Sequence, residues 1–192
     1  GWGTATDGNT WTDQAGVATE LSVSANEARL KGANSSSFLY MTLGNATANN
    51  VDLVARYTSG DYKNDEGHVL FDFANTSTYY LAGIDAPNSA AVINIFKASG
   101  GSEVQKASTS FSATNGTAYW ERIHVTTSGN SATIQVRAWK DGTAEPTTWN
   151  LTWTDTAALA AGKVGINGWD DGKGWTMDHF TAGNLSASPS PS

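Results

Sequence analysis

The stretch YWERIHVTTSGNSATIQVRAWKDG, residues 119–142, carries the clearest structural signal in the chain. It holds two segments in which apolar and polar side chains alternate, and TSGNS at 127–131 separates them. Alternation with a period of two puts successive side chains on opposite faces of a strand. A short segment rich in Ser, Gly and Asn between two such strands predicts a hairpin. The stretch therefore predicts two antiparallel strands with one face in a hydrophobic core.

The register of this hairpin follows from its apolar face. A slip of one residue would turn every side chain to the opposite face, so the apolar side chains of both strands must meet on the core side. The pairs expected there are Val125 with Ile134 and Ile123 with Val136. On the outer face the same register places His124 beside Gln135, Arg122 beside Arg137, and Trp120 beside Trp139.

The facing arginines require a negative partner. Two guanidinium groups directly opposite each other on one face of a sheet repel, so something anionic should lie between or beside them. Two kinds of partner fit this requirement. One is an internal carboxylate such as Asp72 or Asp85, and the other is an acidic sugar.

Other segments of the chain have the same strand character, with β-branched and aromatic residues and turn residues at about 8–12-residue intervals. Helical character is confined to DTAALAAG, 155–162, which predicts one or two turns ending at Gly162. The absence of strand–helix alternation excludes doubly wound folds and predicts an all-β, antiparallel two-sheet β-sandwich. The expected strands are 17–23, 37–43, 50–58, 67–74, 78–85, 91–97, 118–126, 132–139, 149–154, 163–168 and 174–182.

Composition limits the possible partners. The 192 residues suit one domain over 1–185, and there is no cysteine to form a disulfide. Eleven Lys and Arg against 18 Asp and Glu give a net charge of −7, which disfavours nucleic acid. No apolar run reaches the roughly 18 residues that membrane insertion needs.

The ends of the chain suggest an exported module. SASPSPS at 186–192 predicts the start of an extended Ser/Pro linker to neighbouring modules. The chain begins at Gly1 without Met, as a processed or excised domain would. A polar surface rich in Ser, Thr, Asn and Gly is common in secreted and cell-surface proteins, and we expect that location.

Three stretches in order resemble one superfamily. The 119–142 hairpin, NDEGHVLFDFANTSTYYLAGID at 64–85, and the sequence from DGTAEPTTWNLTWTD to WTMDHFTAG, 141–183, are similar to the concanavalin A-like lectin/glucanase (laminin-G-like) superfamily. The resemblance covers roughly residues 64–182 and is to non-catalytic secreted bacterial modules. It implies a jelly roll of two packed sheets and a bias towards polysaccharide binding or cleavage, although fold alone does not establish function.

The catalytic patterns of that superfamily are largely missing. Retaining glycosidases carry a Glu-x-Asp-x-x-Glu strand that holds two carboxylates about 5 Å apart, and this motif is absent. The residue types of the lyases do occur on one predicted face, but Arg122 stands where their Gln should be. His68 and His179 are isolated and are expected to be hydrogen-bonded strand or surface histidines. The face in question holds His124, Gln135, Arg122 and Arg137.

Eight Trp residues suggest a binding surface, because aromatic rings can stack on the apolar faces of sugars. Trp2, Trp11, Trp120 and Trp149 are expected to pack in the core or at sheet edges, with Trp149 over an open end. GWDDGKGW at 168–175 is a glycine-rich loop between two strands, and its Trp rings either bind sugar or clamp the sandwich edge. The candidate carbohydrate-binding residues are Trp169, Asp170, Asp171 and Trp175, followed by Tyr79, Tyr80, Trp139 and Trp153.

The resemblance also implies a structural calcium ion. In this superfamily such a site often uses an Asp on the last strand, and Asp178 in WTMDHF occupies that place. Asp178 could instead cap a strand end or pair with an arginine. The leading hypothesis is a non-catalytic carbohydrate-binding module that recognises polysaccharide or glycan. The alternatives are a structural or adhesive domain of a cell-surface protein or extracellular filament, and a polysaccharide lyase.

Overall fold

The structure is a computed structural model that describes residues 2–5, 8–15, 21–24, 27–30, 38–44, 50–85, 90–169 and 174–185. The described residues form two antiparallel seven-stranded sheets that pack face to face, and they contain no α-helix. No helix of the described part is therefore long and apolar enough to cross a membrane. The predicted two-sheet β-sandwich is confirmed.

Neither sheet closes into a barrel, and in each sheet the spatial order of the strands differs from their order along the chain. Sheet one consists, in spatial order, of β1 (Trp11–Ala15), β4 (Leu39–Leu43), β13 (Lys163–Trp169), β6 (Glu66–Asn75), β7 (Thr78–Asp85), β8 (Val92–Ser99) and β9 (Ser102–Ser110). Sheet two consists of β12 (Leu151–Asp155), β11 (Ser131–Lys140), β10 (Ala118–Ser128), β5 (Val51–Ser59), β14 (Trp175–Asn184), β3 (Glu27–Leu30) and β2 (Leu21–Ser24).

The predicted hairpin forms with its predicted register. Strands β10 and β11 pair Val125 with Ile134 and Ile123 with Val136 on the core side, where all four side chains are buried. The three outer pairs also form as predicted. The alternation of apolar side chains therefore determined this part of sheet two.

Three strands were not predicted, and one predicted feature is wrong. Strands β1, β3 and β9 have few apolar residues in alternation. Strands β1 and β9 lie at the edges of sheet one, where the alternation of apolar and polar residues is less strict. The segment 155–162 is not helical. Its backbone amides bond elsewhere: Ala158 N donates to Asn130 O and Leu159 N to the Tyr80 hydroxyl.

The core lies between the sheets, and the acid Glu121 is buried within it. Aliphatic and aromatic side chains from both sheets fill it, including Phe71, Ile95 and Trp175. Among them Glu121 points inward from β10, is 1% exposed, and accepts a hydrogen bond from Ile84 N at 2.5 Å.

Candidate functional site

A groove of about 560 Å³ opens beside β14. It exists because β3 pairs with β14 only from Trp175 to Met177. Among the described residues, β14 therefore has no partner on its β3 side from Asp178 onward, while β5 continues to pair with its other side. A register shift after Met177 marks a bulge at this point. The volume lies within the range of small-molecule and sugar sites.

Aromatic rings form the wall of the groove. Trp2 and Trp11 contact edge to face with centroids 5.4 Å apart, and Trp11 contacts Phe180 at 5.3 Å. Val23, which is 55% exposed, adds an apolar side chain at the rim. Asp178 and His179 supply the polar groups of the same groove. The expected edge packing of Trp2 and Trp11 is thus correct, and it also shapes a concavity.

A pair of tryptophans continues from the groove across the outer face of sheet two. Trp120 and Trp139 are partly exposed and nearly parallel, with centroids 6.2 Å apart and planes 11° apart. The His179 ring contacts Trp120 at 5.0 Å and links the pair to the groove. No described strand flanks Trp139 on its other side, because β12 begins only at Leu151, opposite Val136. Trp120, Trp139, His179 and the groove are called the aromatic face below.

Fixed charges border the aromatic face. Arg56 donates to Asp141 at 2.8 Å and also pairs with Asp178, while Trp120 Nε1 donates to Asp141 at 2.7 Å. The hydrogen bond from Arg56 lowers the pKa of Asp141 to about 2. The Asp141 carboxylate is therefore ionised at neutral pH. Both carboxylates are held in place beside the rings by Arg56, where they can accept hydrogen bonds from hydroxyl groups.

The two facing arginines are neutralised by carboxylates of the domain itself, which was one of the two kinds of partner expected. Arg122 bonds to Glu145 at 2.9 Å and to Asp52 at 2.8 Å, and Arg137 pairs with the same Glu145. Asp72 and Asp85 were the wrong carboxylates, because both belong to sheet one, on the far side of the core.

Trp149 covers this cluster and does not close an end of the sandwich. Its ring lies 4.2 Å from the Arg137 guanidinium and 5.6 Å from the His124 ring. The four residues proposed from lyases do share this outer face. The guanidinium groups of Arg122 and Arg137 are already paired with carboxylates, however, so this arrangement does not favour binding of a uronate.

Replacing Glu145 with Gln should destabilise the domain by about 1–2 kcal/mol, because Arg122 and Arg137 would lose the shared carboxylate that offsets their repulsion. Chemical denaturation at low and high salt would measure this loss, which should shrink as salt screens the arginines. Glu27→Gln is the matched control, since Glu27 pairs only with exposed Arg29 in the described structure. Equal effects of the two substitutions would contradict this account.

Several predicted sugar-binding residues are buried or packed against buried neighbours. Trp175 is 2% exposed and packs against Trp2, so its ring has no free face for a sugar. Tyr80 is fully buried and donates to Asp155 at 2.6 Å. Trp153 faces inward opposite Ile134 and contacts the Tyr80 ring at 6.3 Å. Tyr79 is also buried. The predictions for Trp175, Tyr80 and Tyr79 are wrong because these three rings are buried against packed neighbours. Trp153 is only partly buried, and its role stays a prediction.

The GWDDGKGW loop therefore does not present two exposed rings. Trp169 ends β13, is partly exposed, and pairs with Glu66 on sheet one. Asp170 and Asp171 lie outside the described residues. The expectation that these Trp rings clamp the sandwich fits Trp175, whereas Trp169 stays available at the surface.

Asp178 binds an arginine where the superfamily resemblance implied calcium. Its carboxylate pairs with Arg56, which was the alternative expectation. In the parts of the chain that the structure describes, no group of three His, Asp or Glu side chains could hold a metal ion.

No protein-family model matches the chain, and no curated protein matches it either. Solved structures do match. The carbohydrate-binding module CBM66 from Bacillus subtilis is 15% identical with a TM-score of 0.67, over 90% of this chain and 94% of that one. The legume lectin-like domain from Entamoeba histolytica is 10% identical with a TM-score of 0.61, over 92% and 90%.

A third match is to part of a larger chain. The Bacteroides ovatus protein described as Xyloglucan PUL GH43B is 18% identical with a TM-score of 0.64, over 91% of this chain but only 36% of that one. Identities this low establish the fold and nothing further. The chain thus shares the two-sheet β-sandwich fold of these proteins.

Proposed function

We propose that this domain is a non-catalytic carbohydrate-binding module and that a glycan chain lies along its aromatic face. The observation that carries the proposal is the parallel Trp120–Trp139 pair, which is joined through His179 to an aromatic groove. The apolar C–H faces of sugar rings stack on such rings. The fixed carboxylates of Asp141 and Asp178 stand where they can accept hydrogen bonds from sugar hydroxyls.

The architecture supports this assignment. Two structures of similar extent are described as a carbohydrate-binding module and a lectin-like domain. The third match covers about a third of a longer chain, which suits a module that accompanies other domains. We propose accordingly that the domain is extracellular and that the Ser/Pro segment 186–192 tethers it to neighbouring modules.

The ion pairs beside the aromatic face explain why the proposal does not include catalysis. Arg56 forms ion pairs with Asp141 and Asp178. Arg122 forms ion pairs with Asp52 and Glu145, and Arg137 with Glu145. Arg56 and these carboxylates form a fixed, ion-paired surface. Such a surface can hold a sugar, whereas β-elimination from a uronate needs a cation that is free to neutralise the substrate carboxylate.

Trp139→Ala should weaken binding of a recognised glycan at least tenfold, because it removes the end of the stacking surface. Affinity electrophoresis against soluble and insoluble polysaccharides, after a glycan array has named the ligand, would measure this loss. Trp139→Phe should recover most of the affinity. Val104→Ala, an exposed apolar change on β9 of sheet one, is the control and should bind as the parent does.

Two outcomes would count against the proposal. Binding that survives both Trp139→Ala and Trp120→Ala would place the glycan elsewhere. Failure to bind any glycan, together with stable self-association, would favour a structural or adhesive domain that uses the same rings for packing.

A further inference from the structure

The groove beside β14 has an apolar side and a polar side, since the side chains of β14 point to both faces of sheet two. Met177 belongs to the hydrophobic core and Phe180 packs against it, so both face the space between the two sheets. His179 pairs with Arg56 and contacts the Trp120 ring, so it faces the outer surface of sheet two. A ligand in the groove therefore meets mainly aromatic and aliphatic groups on one side and polar groups on the other.

The apolar side of the groove continues onto sheet one. Trp11 of β1 and Leu43 of β4, which pair with each other, both line the groove. Trp2 lies beside them, and its indole nitrogen already donates a hydrogen bond to Arg29 O at 3.4 Å. The exposed side chain of Val23 completes this side at the rim. This side therefore offers a ligand apolar contacts and few hydrogen-bonding groups.

The apolar side limits which part of a glycan fits there. A sugar ring carries hydroxyl groups around its edge, and each hydroxyl group that loses water without gaining a hydrogen bond weakens binding. An apolar substituent has no such groups to satisfy, and it strengthens binding in proportion to the apolar surface that it buries. The apolar side therefore suits an apolar group of a ligand better than a bare sugar ring.

The rings of the groove favour an aromatic group over an aliphatic one. Trp2 and Trp11 meet edge to face with 82° between their planes, and Trp11 and Phe180 with 65°. A further aromatic ring can join this arrangement and gain edge-to-face contacts beyond the area that it buries. The groove of about 560 Å³ is several times larger than the roughly 150 Å³ cavity that holds benzene. A substituted ring therefore fits, with room for its linkage to a sugar.

The charge of the groove disfavours acids. Among its described lining residues Asp178 is the one acidic group, and none is a lysine or an arginine. Arg56, which pairs with Asp178, also pairs with Asp141, so its charge is already balanced. A carboxylate such as that of a fatty acid would be repelled here, whereas a hydroxyl group can donate to the Asp178 oxygens. The groove thus suits an uncharged group with a hydrogen-bond donor, as a phenol has.

The groove opens next to the stacked tryptophans. The His179 ring lines the groove and contacts Trp120, with the two ring centroids 5.0 Å apart. A sugar stacked on Trp120 would therefore lie one side chain away from the groove. A substituent on that sugar would reach past His179 to the apolar side.

We propose that the groove is a subsite for an uncharged aromatic acyl ester, a phenolic substituent of the glycan that stacks on Trp120 and Trp139. This inference rests on the proposed function and narrows its ligand to polysaccharides that carry such esters. The tryptophan pair then holds the sugar chain, and the groove distinguishes substituted chains from bare ones.

The two methionines of the chain allow a direct test. Methyl 4-hydroxycinnamate would be titrated into the protein while NMR follows the methyl groups of Met177, which lines the groove, and of Met41, which is buried in the core and does not line it. The ring of the probe should shift the Met177 signal saturably and leave the Met41 signal in place. Trp11→Ala should raise the half-saturation concentration at least fivefold, and Trp11→Phe should restore most of the affinity. Val104→Ala should bind the probe as the parent does.

Two further probes test the chemistry of the subsite. The free acid 4-hydroxycinnamate is an anion and should need at least a fivefold higher concentration to half-saturate the Met177 shift. Methyl cyclohexanecarboxylate, an aliphatic ester, should also bind more weakly than the aromatic ester. An acid or an aliphatic ester that binds as tightly as the aromatic ester would overturn the proposal. A Met177 signal that stays unmoved up to the solubility limit of the aromatic ester would overturn it as well.

Mild alkaline hydrolysis connects the subsite to the glycan. A recognised polysaccharide that carries aromatic esters should lose at least fivefold in affinity for the parent protein when the esters are removed, and little for Trp11→Ala. Equal binding of the parent before and after hydrolysis would overturn this inference and leave the proposed function intact. A protein that binds the ester but no glycan would overturn the proposed function together with the link to a polysaccharide, and the groove would remain a site for small phenolic esters.

Discussion

The free energy of unfolding should fall by several kcal/mol between about pH 5 and pH 8, and the largest single contribution, on the order of 3 kcal/mol, should come from one buried carboxyl group. Burial raises the pKa of Glu121 to about 8 in the folded domain, whereas its ordinary value is 4.5. The hydrogen bond from Ile84 N offsets only part of this shift. At neutral pH the folded protein therefore holds a proton that the unfolded chain releases.

The direction of the effect follows from that difference. A group whose pKa is raised on folding gives its full stabilisation below the unfolded pKa, and this stabilisation is lost as the pH rises towards the folded pKa. Burial also raises the pKa of Asp72 to about 7 and of Glu66 to about 6, so these groups act in the same direction. Asp141, with a pKa lowered to about 2, acts oppositely and only in acid.

Glu121→Gln is the variant that isolates this contribution. The amide keeps an acceptor for Ile84 N and nearly the same volume, but it does not titrate. Urea unfolding at several pH values should show a shallower loss of stability for the variant than for the parent. The control is Glu27→Gln on β3, where the carboxylate pairs with exposed Arg29. A parent protein that is as stable at pH 8 as at pH 5 would refute this reading of Glu121.

Local alternation explains which parts of the fold could be predicted. The β10–β11 register follows from apolar side chains close in sequence, and it brought Trp120 beside Trp139 correctly. The same rule could have placed Trp175, since Trp175 and Met177 alternate as buried apolar residues on β14. The glycine-rich sequence at 168–175 instead predicts a loop, and a loop would leave the Trp175 ring exposed.

The candidate sites depend on pairings between strands that are distant in sequence. His179 meets Trp120 because β5 pairs with both β14 and β10, a relation that no local pattern contains. The groove likewise depends on where β3 stops pairing with β14. His68 was expected to be hydrogen-bonded, and in the structure both of its ring nitrogens are buried without a partner.

Gly165→Ala should destabilise the domain by at least about 3 kcal/mol, the largest effect we expect from one methyl group. Gly165 pairs with Thr42 on one side and Leu70 on the other, in the middle of sheet one. A Cβ at this position would overlap the carbonyl oxygen of Met41 and lie 2.8 Å from Thr42 Cα. Backbone atoms cannot rotate away as a side chain can, so β4 and β13 would have to separate.

Gly183→Ala is the matched control, because Gly183 also lies in a strand, β14. A Cβ there would approach only the carbonyl oxygen of Asp52, at an ordinary 3.9 Å. This substitution should be neutral or stabilise the domain by a few tenths of a kcal/mol, since alanine restricts the unfolded chain more than glycine does. Denaturation midpoints of the two variants give the comparison. A Gly165→Ala protein as stable as the Gly183→Ala protein would mean that β4 and β13 are not held in the register described.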